Sequence, residues 1–324
     1  MMFGMLSGVR LAMFAFAVTA CCVAVTGVAA AAGIVVRDAR DRDVTIDDPS
    51  RIVAIGGAIT EILYALALDD RIAGVDATSL YPPAALRDKP NVGYMRQLSA
   101  EGVLGLNPSV VFAMQGSGPA ETMGVLEAAK VPLVLVPETF SEQGLLDKIK
   151  LVGHAMGMES RAACLTAAVS QDLAQLRELR AKVTKPVRVM FVMSLLNGRA
   201  MVAGRHTAAN EIINLSGAVN AIDGYDGYKI INDEAIVAAR PDVVLSIQRS
   251  RDTLEAEAVF AHPGFALTAV AAQKAFISME GLYLLGFGPR TAGAARDLSA
   301  KLYPSLAPQA EQISLAVPGA SCRQ

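Results

Sequence analysis

One phenol draws attention for what it could bind. Tyr81 lies in Val75-Asp76-Ala77-Thr78-Ser79-Leu80-Tyr81-Pro82-Pro83, which runs on to Gly93-Tyr94-Met95-Arg96. The apolar run 72–75 reads as a strand, so Tyr81 falls on a loop just past a strand's carboxyl end. Open α/β sheets take their ligands at that edge. The two prolines after the tyrosine fix two φ angles and remove two backbone donors, which stiffens the loop. A stiff loop presenting a phenol suits a ligand, and the plainer alternative is a ring packed on Pro82. Later loops carry more of the same residue types: Tyr225, Tyr228 and Lys229 within 223–229, and Arg249 and Arg251 beyond the apolar run 243–247. Other chemistries find little support. His154, His206 and His262 are not spaced as zinc ligands. There is no Gly-x-Ser-x-Gly elbow, no set of paired metal ligands and no Cys/His dyad, which speaks against an enzyme.

The elements that must position these side chains are readable. Residues 35–46 alternate as a short strand or hairpin, and Arg51-Ile52-Val53-Ala54-Ile55-Gly56-Gly57 reads as a buried strand ending in glycines, with a helix over 58–68. That junction lacks the spacing of a phosphate loop, so its glycines serve a turn. Ser99 through Phe112 reads as a capped helix, a proline stop and a strand. Residues 232–245 repeat the device, keeping glutamate, six residues, proline, one residue and two valines in step, from Glu101 to Val111 and from Glu234 to Val244. Two such units imply two α/β lobes of similar build. Between them, Leu165, Val169, Leu173, Leu176 and Leu179 predict one helix over 160–183, of roughly six turns. A continuous helix is a stiff connector, so closure on a ligand should be small.

Composition sets the class and the address. The 324 residues are 53% hydrophobic and 19% charged, a globular balance. Arg10, the apolar run 11–28 and Ala29-Ala30-Ala31-Ala32 describe a secretory signal peptide, against the alternative of a membrane anchor. Val18-Thr19-Ala20-Cys21 also resembles a lipoprotein signal with Cys21 acylated, although the chain beyond Cys22 stays apolar. A mature start near Gly33 or Ile34 removes one base, Arg10, and no acid, leaving 28 bases against 31 acids, a net charge of −3. That excludes a strongly basic nucleic-acid surface. Cys164 and Cys322 remain, and an oxidising compartment allows their pairing without any pattern that indicates it.

Taken together, Ser79-Leu80-Tyr81-Pro82, Gly93-Tyr94-Met95-Arg96, residues 101–108, residues 223–229 and Gly281-Leu282-Tyr283-Leu284-Leu285-Gly286-Phe287-Gly288-Pro289-Arg290 resemble the periplasmic haem-binding proteins of bacterial haem ABC importers. The resemblance covers nearly all of the chain after residue 32. It implies the helix-linked fold of the cobalamin, siderophore and haem binders: two Rossmann-like α/β lobes joined by one long spanning helix, with the ligand cleft between them. The expected division is a signal peptide over 1–32, an N-terminal lobe over 33–158, a linker helix over 159–183 and a C-terminal lobe over 184–324. The transported ligand implied is haem b, captured in the periplasm downstream of an outer-membrane haem receptor and delivered to a permease-ATPase complex of the inner membrane. Tyr81 matches the family's axial ligand, and a phenolate is a hard oxygen donor suited to ferric iron. Arg96 and Arg249 are candidates for a guanidinium beside it or on a propionate. Tyr94, His206, Tyr225, Tyr228 and Lys229 complete the pocket candidates. Glu101 and Glu234 match the acidic residues that dock the family's lobes to permease arginines, with helix capping as the alternative. A ferric siderophore or cobalamin carrier of the same fold is the competing expectation.

Overall fold

In the computed structural model the described residues are 1, 33–248, 253–316 and 322. The expected signal segment with Cys21, and Arg249 with Arg251, lie outside them. The chain opens on an antiparallel hairpin, β1 (Ile34–Arg37) and β2 (Asp43–Ile46), with Ile34 opposite Ile46. Four strands follow: β3 (Ile52–Ile55), β4 (Ile72–Val75), β5 (Val110–Met114) and β6 (Leu133–Val136). They form one sheet in the order β4-β3-β5-β6, parallel throughout. Every residue of β3, β5 and β6 is buried, as parallel strands covered on both faces must be.

The second sheet is built from β7 (Arg188–Leu196), β8 (Arg199–Ala203), β9 (Val219–Asn220), β10 (Tyr228–Ile230), β11 (Val243–Gln248) and β12 (Phe276–Glu280). Its order is β10-β8-β7-β11-β12, with β9 beside β7. β7 and β8 make a hairpin around Asn197 (φ 50) and Gly198 (φ 71), the left-handed pair that a two-residue turn requires.

The internal repeat is real in three dimensions. The Ser99 hydroxyl accepts from the Gly102 amide at the head of the Ala100–Leu104 helix, and the Asn232 side chain accepts from the Ala235 amide at the head of Asp233–Ala239. Before each proline stands a residue with positive φ, Asn107 (φ 47) and Arg240 (φ 45). Then come β5 and β11, each flanked by parallel neighbours on both sides.

The Glu159–Arg180 helix joins the two sheets over 22 residues, about 33 Å at 1.5 Å per residue. It ends three residues before the predicted stop, because the amides of Lys182 and Val183 turn back to the carbonyls of Leu179 and Arg180 in tighter i to i−3 bonds. Its buried face, Ala162, Leu165, Val169, Leu173 and Leu176, is continuous with the core under the first sheet and with Val189, Phe191 and Leu245 of the second. Met190, Val192 and Val244 point the other way, into a smaller cluster with Ile236, Val259 and Phe265. A disulfide joins Cys164 on the long helix to Cys322, settling a pairing that spacing left open. Among the described residues no helix is long and apolar enough to cross a membrane.

Candidate functional site

The carboxyl edge of the first sheet gathers the loops that follow its four strands, and the loop after β4 is bolted to its neighbours. Asp76, fully buried, accepts from the Gly56 amide at 2.9 Å, from the Thr78 amide and hydroxyl at 3.1 and 2.9 Å, and from the Ser79 hydroxyl at 3.0 Å. Burial pushes the Asp76 carboxyl up, and these donors pull it back. The Thr78 hydroxyl accepts in turn from the Gly57 amide, and Ser79 meets Thr60 at 2.7 Å. The glycine junction therefore spends its free amides on this loop. Glycine is needed there twice over: Gly56 has φ 122, and a side chain on Gly57 would meet the Thr78 carbonyl at 2.4 Å. Ala77 donates to the Gly93 carbonyl, tying the Tyr94 and Arg96 loop to the same frame.

Tyr81 stands on this clamped loop, 38% exposed, before a cis bond to Pro82. The Arg290 guanidinium lies over its ring, 3.7 Å from the centroid. Arg290 is held by Glu61 of the Gly57–Ala65 helix through two bonds, Nε to Oε2 at 3.1 Å and Nη2 to Oε1 at 2.5 Å. Glu61 is 5% exposed. Burial pushes its carboxyl up while Arg290 draws it down, and Glu61 in turn holds the guanidinium above its ordinary value despite burial. A two-point fork of this kind is the strong and geometrically specific form of a guanidinium–carboxylate pair.

A second buried charge lies close by. Lys148, 2% exposed, donates to the Phe287 carbonyl at 3.1 Å. Burial pulls its ammonium down to about 8, against the opposing pull of Glu138 and Glu61. Glu138 follows β6 at the same sheet edge, and burial raises its carboxyl in spite of Lys148 and Arg96. Among the described residues no group of three or more His, Cys, Asp or Glu side chains could hold a bare metal ion. Around this edge stand tyrosine and carboxylate oxygens, cations and aromatic faces.

This chain matches the model of the periplasmic binding protein family over residues 52–281. The chain belongs to the periplasmic binding protein family. It is similar to a periplasmic haem-binding protein, RhuT of Roseiflexus sp. RS-1, solved in its apo form, at 36% identity over 80% of this chain and all of that one, with a TM-score of 0.75. It is also similar to a periplasmic haem-binding protein of Pseudomonas aeruginosa, at 33% identity over 80% and 94% of the two chains, with a TM-score of 0.72. An uncharacterised ABC transporter substrate-binding lipoprotein of Bacillus subtilis, strain 168, is 27% identical over 275 residues, 84% of this chain and 86% of that protein. The two-lobed α/β fold expected from the sequence is thus the family's fold, and the family is one of binding proteins.

In this periplasmic binding protein the other expected site residues among those described fall into four groups. Arg96 donates to the Tyr94 hydroxyl at 3.2 Å, and it acts electrostatically on Tyr228 of the second lobe, so these three share one region. Burial pushes the Tyr228 phenol up to about 12, with Ala209, Thr207 and Arg96 pulling it back. Tyr225 and Lys229 form a separate pair: the Tyr225 hydroxyl donates to the Val202 carbonyl at 3.0 Å, and the Lys229 ammonium sits 5.1 Å from the ring centroid. His206, with φ 55 and a 79% exposed side chain, places Nδ1 3.2 Å from an Asp226 oxygen that Arg205 also holds. Glu101 and Glu234 are exposed in the first turns of their helices.

Reading the sequence for the site missed Glu61, Glu138, Lys148 and Arg290. Two of them carried a signal. Glu61 sits in a helix whose other residues are all buried, between Ile59 and Ile62. Lys148 falls on the stripe of Leu145, Ile149 and Val152. A charge on an apolar stripe marks a group that must find a partner.

Proposed function

We propose that this protein captures haem b in the periplasm and delivers it to the permease-ATPase complex of an inner-membrane ABC importer, with the Tyr81 phenolate as the iron's axial ligand. The observation that carries the reading is the clamped loop that holds Tyr81 half-exposed at the carboxyl edge of the first sheet, with a cation on its ring. Haem-binding relatives at 33–36% identity over about four fifths of the chain supply the ligand class. Arg96, Tyr94 and Tyr228 would line the same cleft, and cationic side chains there suit propionates. His206, after release from Asp226, is a further candidate for holding the ligand, as is Arg249, which lies outside the described residues. Tyr225 and Lys229 would stand at the rim of the cleft. Glu101 and Glu234, exposed at equivalent places on the two lobes, are the proposed docking points for the permease, and an outer-membrane receptor would supply haem upstream. Export by a signal peptide cleaved near Gly33 fits this role better than retention on an acylated Cys21.

The test is direct. Adding haem to the purified protein should give a high-spin ferric spectrum with a tyrosinate-to-iron charge-transfer band. Tyr81→Phe keeps the ring, removes the oxygen and should abolish that band while lowering affinity. A parental spectrum from the variant would remove Tyr81 as ligand, and uptake of a ferric siderophore or cobalamin in place of haem would replace the substrate.

A further inference from the structure

Buried Glu61 has no role in the reading above, and Arg290 enters it only as the cation on the Tyr81 ring. Glu61 belongs to the first helix of the first lobe, and Arg290 follows the last strand of the second sheet, 229 residues along the chain. Their fork joins the lobes directly beneath Tyr81. A surface ion pair would leave the guanidinium free to swing, but here both of its bonded nitrogens are committed to one carboxylate that is itself buried. The segment that carries Arg290 is pinned as well. Lys148 holds the Phe287 carbonyl, and the Phe287 ring meets Phe140 edge-on with centroids 5.3 Å apart. Tyr283 contributes a second aromatic face 5.0 Å from the same guanidinium, and its hydroxyl is fixed on Asp297 at 2.9 Å. Arg290 is thereby a planar cation in a set position, facing Tyr81 at 3.7 Å.

We propose that Arg290, locked by Glu61, is a positioning residue for Tyr81: it fixes the plane of the phenol ring and sets a positive charge against its face, so that the oxygen meets iron in one orientation. This rests on the reading of Tyr81 as the iron ligand. The physics is that of a cation over an aromatic ring. The attraction grows as the ring becomes richer in electrons, which is what bonding through the deprotonated oxygen makes it, and it grows again when water is kept away. The guanidinium is mostly shielded, with a side chain 19% exposed. An oxygen held in one direction also loses less freedom when it binds, which favours a slow release of the ligand.

The experiment is a double-mutant cycle read by haem release to apomyoglobin and by the charge-transfer band and iron-oxygen stretch. It uses the parent, Arg290→Met, Tyr81→Phe and the double variant, each checked for folding by circular dichroism. Arg290→Met keeps length and an apolar contact while removing the charged plane. It should shift the band and the stretch and speed release about tenfold. In the Tyr81→Phe background the same change should add little, because the ring oxygen through which Arg290 acts is gone. Glu61→Gln, which keeps the side-chain shape, should move band and rate in the same direction by less, and it carries the test should Arg290→Met fold poorly. Arg290→Lys, with charge but no plane, should fall between parent and Met. The proposal is overturned by parental band and rate in Arg290→Met or, where that variant is unfolded, in Glu61→Gln. Equal acceleration with and without the Tyr81 oxygen overturns it too, since that would make Arg290 a direct haem contact or a structural tie. Failure of the underlying reading looks different: Tyr81→Phe alone would then retain the parental band.

Discussion

At the scale of the residue, the loop that carries Tyr81 is built from neighbours in the chain, whereas the charges packed around it come from far away along the sequence. The place of Tyr81 on a loop after β4 was legible because that strand, the turn and the two prolines all lie within ten residues of it. Its setting was not, because Arg290 reaches Glu61 only after 229 residues have folded between them. Lys148 offers a prediction at this scale. Burial holds its ammonium near 8, below the ordinary 10.5. Between those values the unfolded chain carries a proton that the folded chain has lost. The unfolded state thus binds more protons in that window, so this group's contribution makes the fold more stable as pH rises from about 8 to 10.5. Lys148→Met should erase that rise. At pH 7 the same variant should cost about 3 kcal/mol, because Glu138 and Glu61 lose their buried cation. Urea unfolding at pH 7 and across pH 8–10 measures both, and an unchanged slope in the variant would assign the rise to another group.

At the scale of the element, helix, proline and strand were legible twice because capping and turn chemistry are local rules. Ser99 and Asn232 cap as expected, and the left-handed Asn107 and Arg240 turn the chain one residue before each proline, Arg240 as the cap of its helix. The end of the long helix was harder to place, since Lys182 and Val183 leave it by tightening the last turn and no glycine marks the exit. The repeat supports a prediction about delivery. Glu101→Lys with Glu234→Lys should leave haem binding in solution unchanged and abolish transfer to a reconstituted permease, each single change weakening it. The block should be strongest at low salt and ease partly at moderate salt, because the reversed charges are exposed and their repulsion is screened. Delivery at the parental rate by the double variant would reduce both residues to first-turn acids that favour their helices.

At the scale of the whole molecule, three ties oppose a large opening of the lobes. The long helix shares its buried face with both sheets, Glu61 grips Arg290, and Lys148 grips Phe287. Haem binding should therefore leave the radius of gyration from small-angle scattering nearly unchanged, with rearrangement limited to loops such as 223–229; a marked contraction would show that the ties give way. The disulfide adds a property of another kind. β7 through β12 all fall between Cys164 and Cys322, so one covalent ring of backbone encloses the second sheet. A protein exposed to proteases outside the cytoplasm gains from such a ring. A single cut anywhere within it frees no fragment, and the two halves stay within reach of the contacts that reseat them. After limited proteolysis inside the ring, the nicked chain should run as one band on a non-reducing gel and as two once the sulfur bond is reduced.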